Sequence, residues 1–177
     1  MVRLSVPFTV AATLLGSSWA SCTNTGHLQM VTYVKRASNL TRTEFWDYWQ
    51  TQHAPKVNPL AVHFNITRYQ QILVGGHTLP TAAGSTEPSS AEPVEFDGIA
   101  MFLYPSGEAL EEMLAHPYYI NVVEPDEHVF IDKSAYGAGM VATFVGTDIE
   151  VVDDRRNVWV GEKTTLKKYQ DIFQSYL

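Results

Sequence analysis

The chain has 177 residues, 45% of them hydrophobic and 18% charged, with a formal net charge of -7. That balance suits one globular domain with a core large enough to fold alone, and the net negative charge without runs of Lys or Arg excludes a nucleic-acid footprint, which needs clustered positive charge. Cys22 is the only cysteine, so neither an intrachain disulfide nor a cysteine-based metal site can form.

Residues 1–20 carry Arg3, an apolar run from Val6 to Leu15, and then Ser18, Trp19 and Ala20, with small residues where a signal peptidase reads. This predicts a signal peptide and an exported mature chain, with a cytoplasmic protein bearing an apolar extension as the alternative. The run is too short for a spanning helix of ~20 residues, so stable membrane insertion is not expected. The sequons at Asn39 and Asn65 agree with export but arise often by chance.

An α+β domain is predicted over 27–148. Leu28 to Lys35 alternates as a first strand. Thr41 and Glu44 stand in capping-box spacing, and Phe45, Tyr48, Trp49 and Gln52 recur at helical steps. Pro55 disfavours a helical Ala54, which predicts a helix ending near His53, with the imidazole at a helix C-terminus where the dipole favours its protonated form. Ile66 to Leu73 alternates as a second strand. Residues 75–93 are rich in Gly, Pro, Ser and Thr and predict an exposed loop insertion, either a lid or a dispensable segment. Phe96 to Tyr104 reads as a buried third strand, Ser106 caps a second helix ended by Pro117, and short helical turns flank Pro125. Met140 to Val145 is the last strand, and residues 149–177 form a C-terminal extension whose terminal helix carries Leu166, Tyr169, Ile172, Phe173 and Tyr176 on one stripe. The order βαββαβ is the ferredoxin-like split βαβ arrangement, with both helices on one sheet face. The face left open predicts a homodimer.

The segments VKR, LTRTEFWDYWQTQHAPKV and HPYYINVVEPDEHVFID resemble the EthD group of dimeric α/β barrels over about Met30 to Gly146, with the strongest likeness to fungal members of aromatic polyketide pathways. That resemblance implies a cofactor-independent lyase, a decarboxylase or dehydratase of secondary metabolism, acting on an aromatic polyketide intermediate. A cofactor-free monooxygenase or isomerase on the same fold is an alternative, as is a secreted binding protein for a hydrophobic small molecule.

His53 is the first catalytic candidate, because imidazole can take and return a proton near pH 7. Cap and catalyst share its spacing, and the resemblance implies the catalyst. His116 and Glu127 are further candidates. Asp126 and Glu127 also suit a plain helix start, since carboxylates are favoured there. His116, Glu127 and His128 lack the spacing of a zinc set, so no metal is expected. Tyr33, Trp49, Tyr69, Met101 and Phe102 can line an apolar cavity for a flat aromatic substrate, although aromatic stripes also serve as ordinary core. No phosphate loop, nucleotide fingerprint or nucleophile elbow is present, and the chemistry left is cofactor-free proton transfer.

Overall fold

The computed structural model describes residues 24–177. The leader expected over residues 1–20, and Cys22, lie outside them. Residues Asn24–Glu150 form one compact unit, and Val151–Leu177 belong to another.

In the first unit, strand β1 (Asn24–Val34) leads to helix α1 (Arg42–Tyr48), a π-helical turn (Trp49–His53) and helix α2 (Ala54–His63). Strands β2 (Arg68–Ile72), β3 (Gly76–Thr78), β4 (Val94–Phe96) and β5 (Gly98–Tyr104) follow. Helix α3 (Gly107–Ala115), a second π-helical turn (Tyr119–Val123), helix α4 (Glu124–Phe130) and strand β6 (Met140–Ile149) complete it. The main sheet has the order β2-β5-β1-β6, every neighbouring pair antiparallel. This is the ferredoxin-like α+β order, in which the first and third long strands sit centrally.

The α1 start forms for the local reason legible in its sequence. Thr41 Oγ1 accepts from the Glu44 N–H while the Glu44 carboxylate accepts from the Thr41 N–H, so two otherwise unpaired helix donors are satisfied. Ser106 caps α3 in the same way, accepting from the Ala109 N–H at 3.2 Å.

The expected helix end at His53 is not observed. Ala54 is helical at φ −54, ψ −42, and its N–H reaches back to the Trp49 carbonyl, five residues away. Proline lacks an N–H and is tolerated in the first turn of a helix, and the π-turn supplies such a first turn for α2 in mid-run. Pro125 stands in the equivalent place after the second π-turn. His53 is therefore an interior residue of a helical run from Arg42 to His63, and the argument from a C-terminal dipole does not apply to it.

The 75–93 segment also differs in part from the open loop its composition suggests. β3 pairs with β4, Thr81 bridges to Ala142 on the edge strand β6, and the Ser89 N–H donates to the Pro80 carbonyl at 2.7 Å. Strands as short as β3 and β4 leave too few residues for an alternating pattern to show.

Two apolar clusters form the core. One gathers Val34, Phe45, Trp49, Phe130 and Ile131, the other Val57, Leu60, Met113 and Val123, and Tyr69 and Phe102 pack against both. Beside the first, between β4 and β5, Asp97 is fully buried. It is tied to Lys35 at 3.3 Å, Arg36 Nε at 3.3 Å and Arg42 Nε at 2.9 Å, and it accepts from the Arg36 N–H at 3.2 Å. Burial works against the Asp97 charge, but these donors outweigh it and hold the carboxyl below its ordinary range.

The second unit contains strands β7 (Val152–Asp153) and β8 (Arg156–Asn157), paired with each other, and helix α5 (Lys163–Gln174). No helix among the described residues is long and apolar enough to cross a membrane.

Candidate active site

A cavity of about 300 Å³ opens between the two core clusters, under the helices and over one face of the sheet. Because side chains alternate along a strand, Met30, Thr32 and Val34 of β1 and Ala100 and Phe102 of β5 present one face to it. Most of the lining is aliphatic or aromatic. Its ionisable groups are His53, Glu127, Tyr69 and Tyr119, and no Lys or Arg is among the lining residues.

His53 projects from the first π-turn, where one extra residue in the turn re-aims side chains relative to a regular helix. The ring is 5% exposed, packs on Phe130 at 4.8 Å between centroids, and lies with Nδ1 2.9 Å from Asp126 Oδ2. Asp126 is in turn held by Lys56 Nζ at 2.6 Å and the Tyr48 hydroxyl at 2.7 Å, both on Oδ1. An ionised carboxylate only accepts, so Nδ1 carries the proton it shares with Asp126 and Nε2 is the basic nitrogen of the neutral ring. Among the described residues Nε2 has no hydrogen-bond partner, and no fully enclosed side-chain nitrogen or oxygen lacks one. The free nitrogen is thus open to the cavity that the ring lines.

Burial pushes the His53 pKa below its ordinary value, more than the Asp126 hydrogen bond and the nearby Glu127 and Asp126 charges raise it; Lys56 also lowers it. Burial works the other way on Asp126, yet the donors Lys56, Tyr48 and His53 keep it below the usual carboxylate range. The Tyr48 hydroxyl, bonded to Asp126, is pushed up to about 12 and stays protonated.

These shifts fix a sign for stability against pH. His53 binds its proton less readily folded than unfolded, so its contribution is complete above the unfolded value of about 6.5 and is lost as pH falls through the folded value. Asp126 contributes above its unfolded value of about 3.9 and loses that contribution as pH falls through its lower folded value. Urea unfolding from pH 8 to pH 3 is expected to show stability declining in two stages, and His53→Asn to remove the earlier stage while leaving the later one.

Glu127 is 6% exposed in the same lining, accepting from the Tyr119 hydroxyl at 3.0 Å and from Lys133 Nζ at 2.6 Å. Tyr69 stacks on Phe102 at 4.5 Å and accepts from Gln71 Nε2 at 2.9 Å, which leaves its own O–H free to donate. Burial pushes the Tyr69 pKa up to about 12, against lowering by its bonds with Gln71 and Trp49. Tyr119 is raised as well, first by burial and then by the Glu127 charge.

Of the residues singled out in the sequence, His53, Glu127, Trp49, Tyr69 and Phe102 meet at this cavity. Tyr33 and Met101 do not: Tyr33 packs edge-on against Phe96 and Phe144, and Met101 stands opposite Val31 on the other sheet face. Adjacent strand residues such as Met101 and Phe102 point to opposite faces, so both cannot line one cavity. His116 lies apart too, at the end of α3 in a surface recess with Pro59, His63 and Tyr118, where its Nδ1 accepts from the Tyr118 N–H at 3.2 Å. Lys56, Tyr48 and Asp126 as the partner of His53 were not legible as a set, because the contacts to Asp126 cross 70 or more residues.

The EthD domain model matches residues 37–134, more than half of the 177. This chain belongs to the EthD domain family. The matched span takes in both π-turns, His53, Asp126 and Glu127. A fungal relative described as the conidial pigment biosynthesis dehydratase EthD of Metarhizium robertsii is 24% identical over 99 residues, 56% of this chain and 70% of that one. Among solved structures, an EthD-family protein of Bacillus halodurans has a TM-score of 0.43 at 12% identity, covering 70% of this chain and 99% of its own. A dimeric protein of unknown function with a ferredoxin-like fold from Bacteroides fragilis has a TM-score of 0.41 at 7% identity, covering 71% and 97%. The fold of this EthD domain rests on its own strand order.

Proposed function

We propose that this EthD-domain protein is a cofactor-independent lyase that removes water from an aromatic polyketide-like β-hydroxy ketone, with His53 as the proton carrier. The observation that carries the reading is the buried His53–Asp126 pair, which fixes the imidazole tautomer and turns its basic nitrogen toward an apolar cavity. His53 Nε2 takes the proton α to the carbonyl, and the electron pair forms an enolate. The enolate re-forms the carbonyl as the C–C double bond closes and the β C–O bond breaks, and the departing hydroxide leaves as water with the proton that His53 acquired. Tyr69, kept protonated and with its O–H free, is suited to donate to the enolate oxygen.

Dehydration is favoured over decarboxylation by the lining itself. A β-keto acid brings a carboxylate, and a lining that holds Glu127 and no Lys or Arg offers that anion no cationic partner. The relative named as a dehydratase agrees with this choice. The test is turnover of a panel of polyphenolic β-hydroxy ketones and β-keto acids, followed by mass spectrometry and oxygen uptake. Loss of 18 mass units without oxygen consumption is expected. Oxygen uptake would replace the lyase by an oxygenase, and tight binding without turnover would leave a binding protein.

We also propose that the domain works as a homodimer joined through its open sheet face. Val31, Ile99 and Met101 are half-buried there, and Ile72 and Phe144 are each 41% exposed. A face of this kind is self-complementary across a two-fold axis. Sedimentation is expected to give a dimer at micromolar concentration, and Phe144→Glu a monomer; a monomeric parent protein rules the proposal out.

A further inference from the structure

We infer that Lys56 is a positioning residue that, through its ion pair with Asp126, keeps the His53 imidazole in the neutral form able to take a proton, a role that rests on the reading of His53 as the base.

A histidine hydrogen-bonded to a carboxylate in a dry site is at risk of becoming a permanent ion pair. Once protonated on both nitrogens the ring can donate but no longer accept, and a reaction that begins with proton abstraction stops. Here the carboxylate is divided. Oδ2 faces His53, whereas Oδ1 is occupied by the Lys56 ammonium and the Tyr48 hydroxyl. The negative charge is therefore matched by a cation before His53 titrates, and a proton added to His53 meets Lys56 across the same carboxylate. The other groups facing the ring are accounted for as well. On α4, Glu127 favours the protonated ring, but it is itself paired with Lys133 and bonded to Tyr119. Tyr48 on α1 and Tyr69 on β2 stay uncharged. Lys56 is left as the cation that opposes protonation through the bonded carboxylate, in the direction burial already favours.

The fold explains why a lysine stands there. The two helical runs align at an offset of 70: the π-turns begin at Trp49 and Tyr119, and their prolines are Pro55 and Pro125. Lys56 and Asp126, each next after its proline, occupy equivalent positions and meet each other at 2.6 Å. Residues related by an internal pseudo-two-fold approach one another near its axis, and this pair has opposite charges where two like charges would repel. His53 and Glu127 correspond at the same offset to Val123 and Val57, so each half supplies one ionisable cavity residue where the other has an apolar one.

The inference is tested on the full chain by following the His53 ring resonances by NMR against pH, in the parent, Lys56→Met and Lys56→Arg, alongside kcat/KM–pH profiles. Lys56→Met is expected to move the His53 midpoint to higher pH and to carry the acid limb of the profile with it. The activity lost is about tenfold per unit of movement on that limb, with little change on the alkaline plateau. Lys56→Arg is expected to restore both curves. An unmoved or lowered His53 midpoint in folded Lys56→Met overturns the inference whether or not a substrate is known, and so does a loss of kcat/KM equal at every pH. A midpoint that rises while His53→Asn retains turnover supports the electrostatic role of Lys56 and defeats the reading of His53 as the base. Should Lys56→Met fail to fold, Lys56→Gln gives the same readout.

Discussion

His53→Asn is expected to lower turnover by about a hundredfold or more, the scale of a lost general base, while the chain still folds. Asparagine is chosen because its amide can donate to Asp126 much as Nδ1–H does, so the buried carboxylate keeps its three donors. The ring itself is missed by Phe130, and a few lost contacts in a packed interior cost about 1–3 kcal/mol. Rates on the ketone panel and circular dichroism of the same preparation separate the two effects. His116→Ala, remote from the cavity, serves as control and is expected to stay close to the parent rate. Parental turnover in His53→Asn means that the ring is only a packed core group.

Asp97→Ala is expected to do the reverse. Its fully buried carboxylate gathers Lys35, Arg36 and Arg42; without it Lys35 and Arg42 keep Glu95 as a partner, while the Arg36 Nε and backbone N–H lose their acceptor. Leaving donors without their acceptor costs about 1–3 kcal/mol, a fall in melting temperature of several degrees for a chain of this size. Asp97 does not line the cavity, so turnover per folded molecule is expected to persist. Thermal unfolding without a measurable fall would show the cluster to be dispensable.

The local caps were legible in the sequence and the long-range contacts were not. The Thr41–Glu44 capping box and the Ser106 cap could be read because every partner lies within three residues. The strand order followed from two alternating segments and two apolar runs bounded by turns, and the EthD likeness from two helical motifs. The interior position of His53 was hidden because the rule for a residue before proline is local, whereas the π-turn that overrides it spans Trp49 to Ala54. Asp126 looked like a helix-start acid, and only folding brings it to a histidine 73 residues away. Parity also separates Tyr33 from the cavity: its neighbours Thr32 and Val34 face it, so Tyr33 faces away.

The π-turn at Trp49–His53 also sets a mutational boundary between scaffold and chemistry. A turn of this kind is an α-helix with one residue in surplus, and each helical residue rotates the chain by about 100°. Deleting the exposed Thr51 would let the run close as ordinary α-helix, with the buried Phe45 still seated before the deletion. The wide turn takes up its surplus residue locally, so α2 with Lys56 would keep its face relative to Phe45, and the change would fall on the side chains within the turn, from Trp49 to His53. A shift of His53 within that turn would part its ring from Asp126 while Phe45 and Val57 stayed packed, so the scaffold tolerates a change that the proposed proton carrier would not.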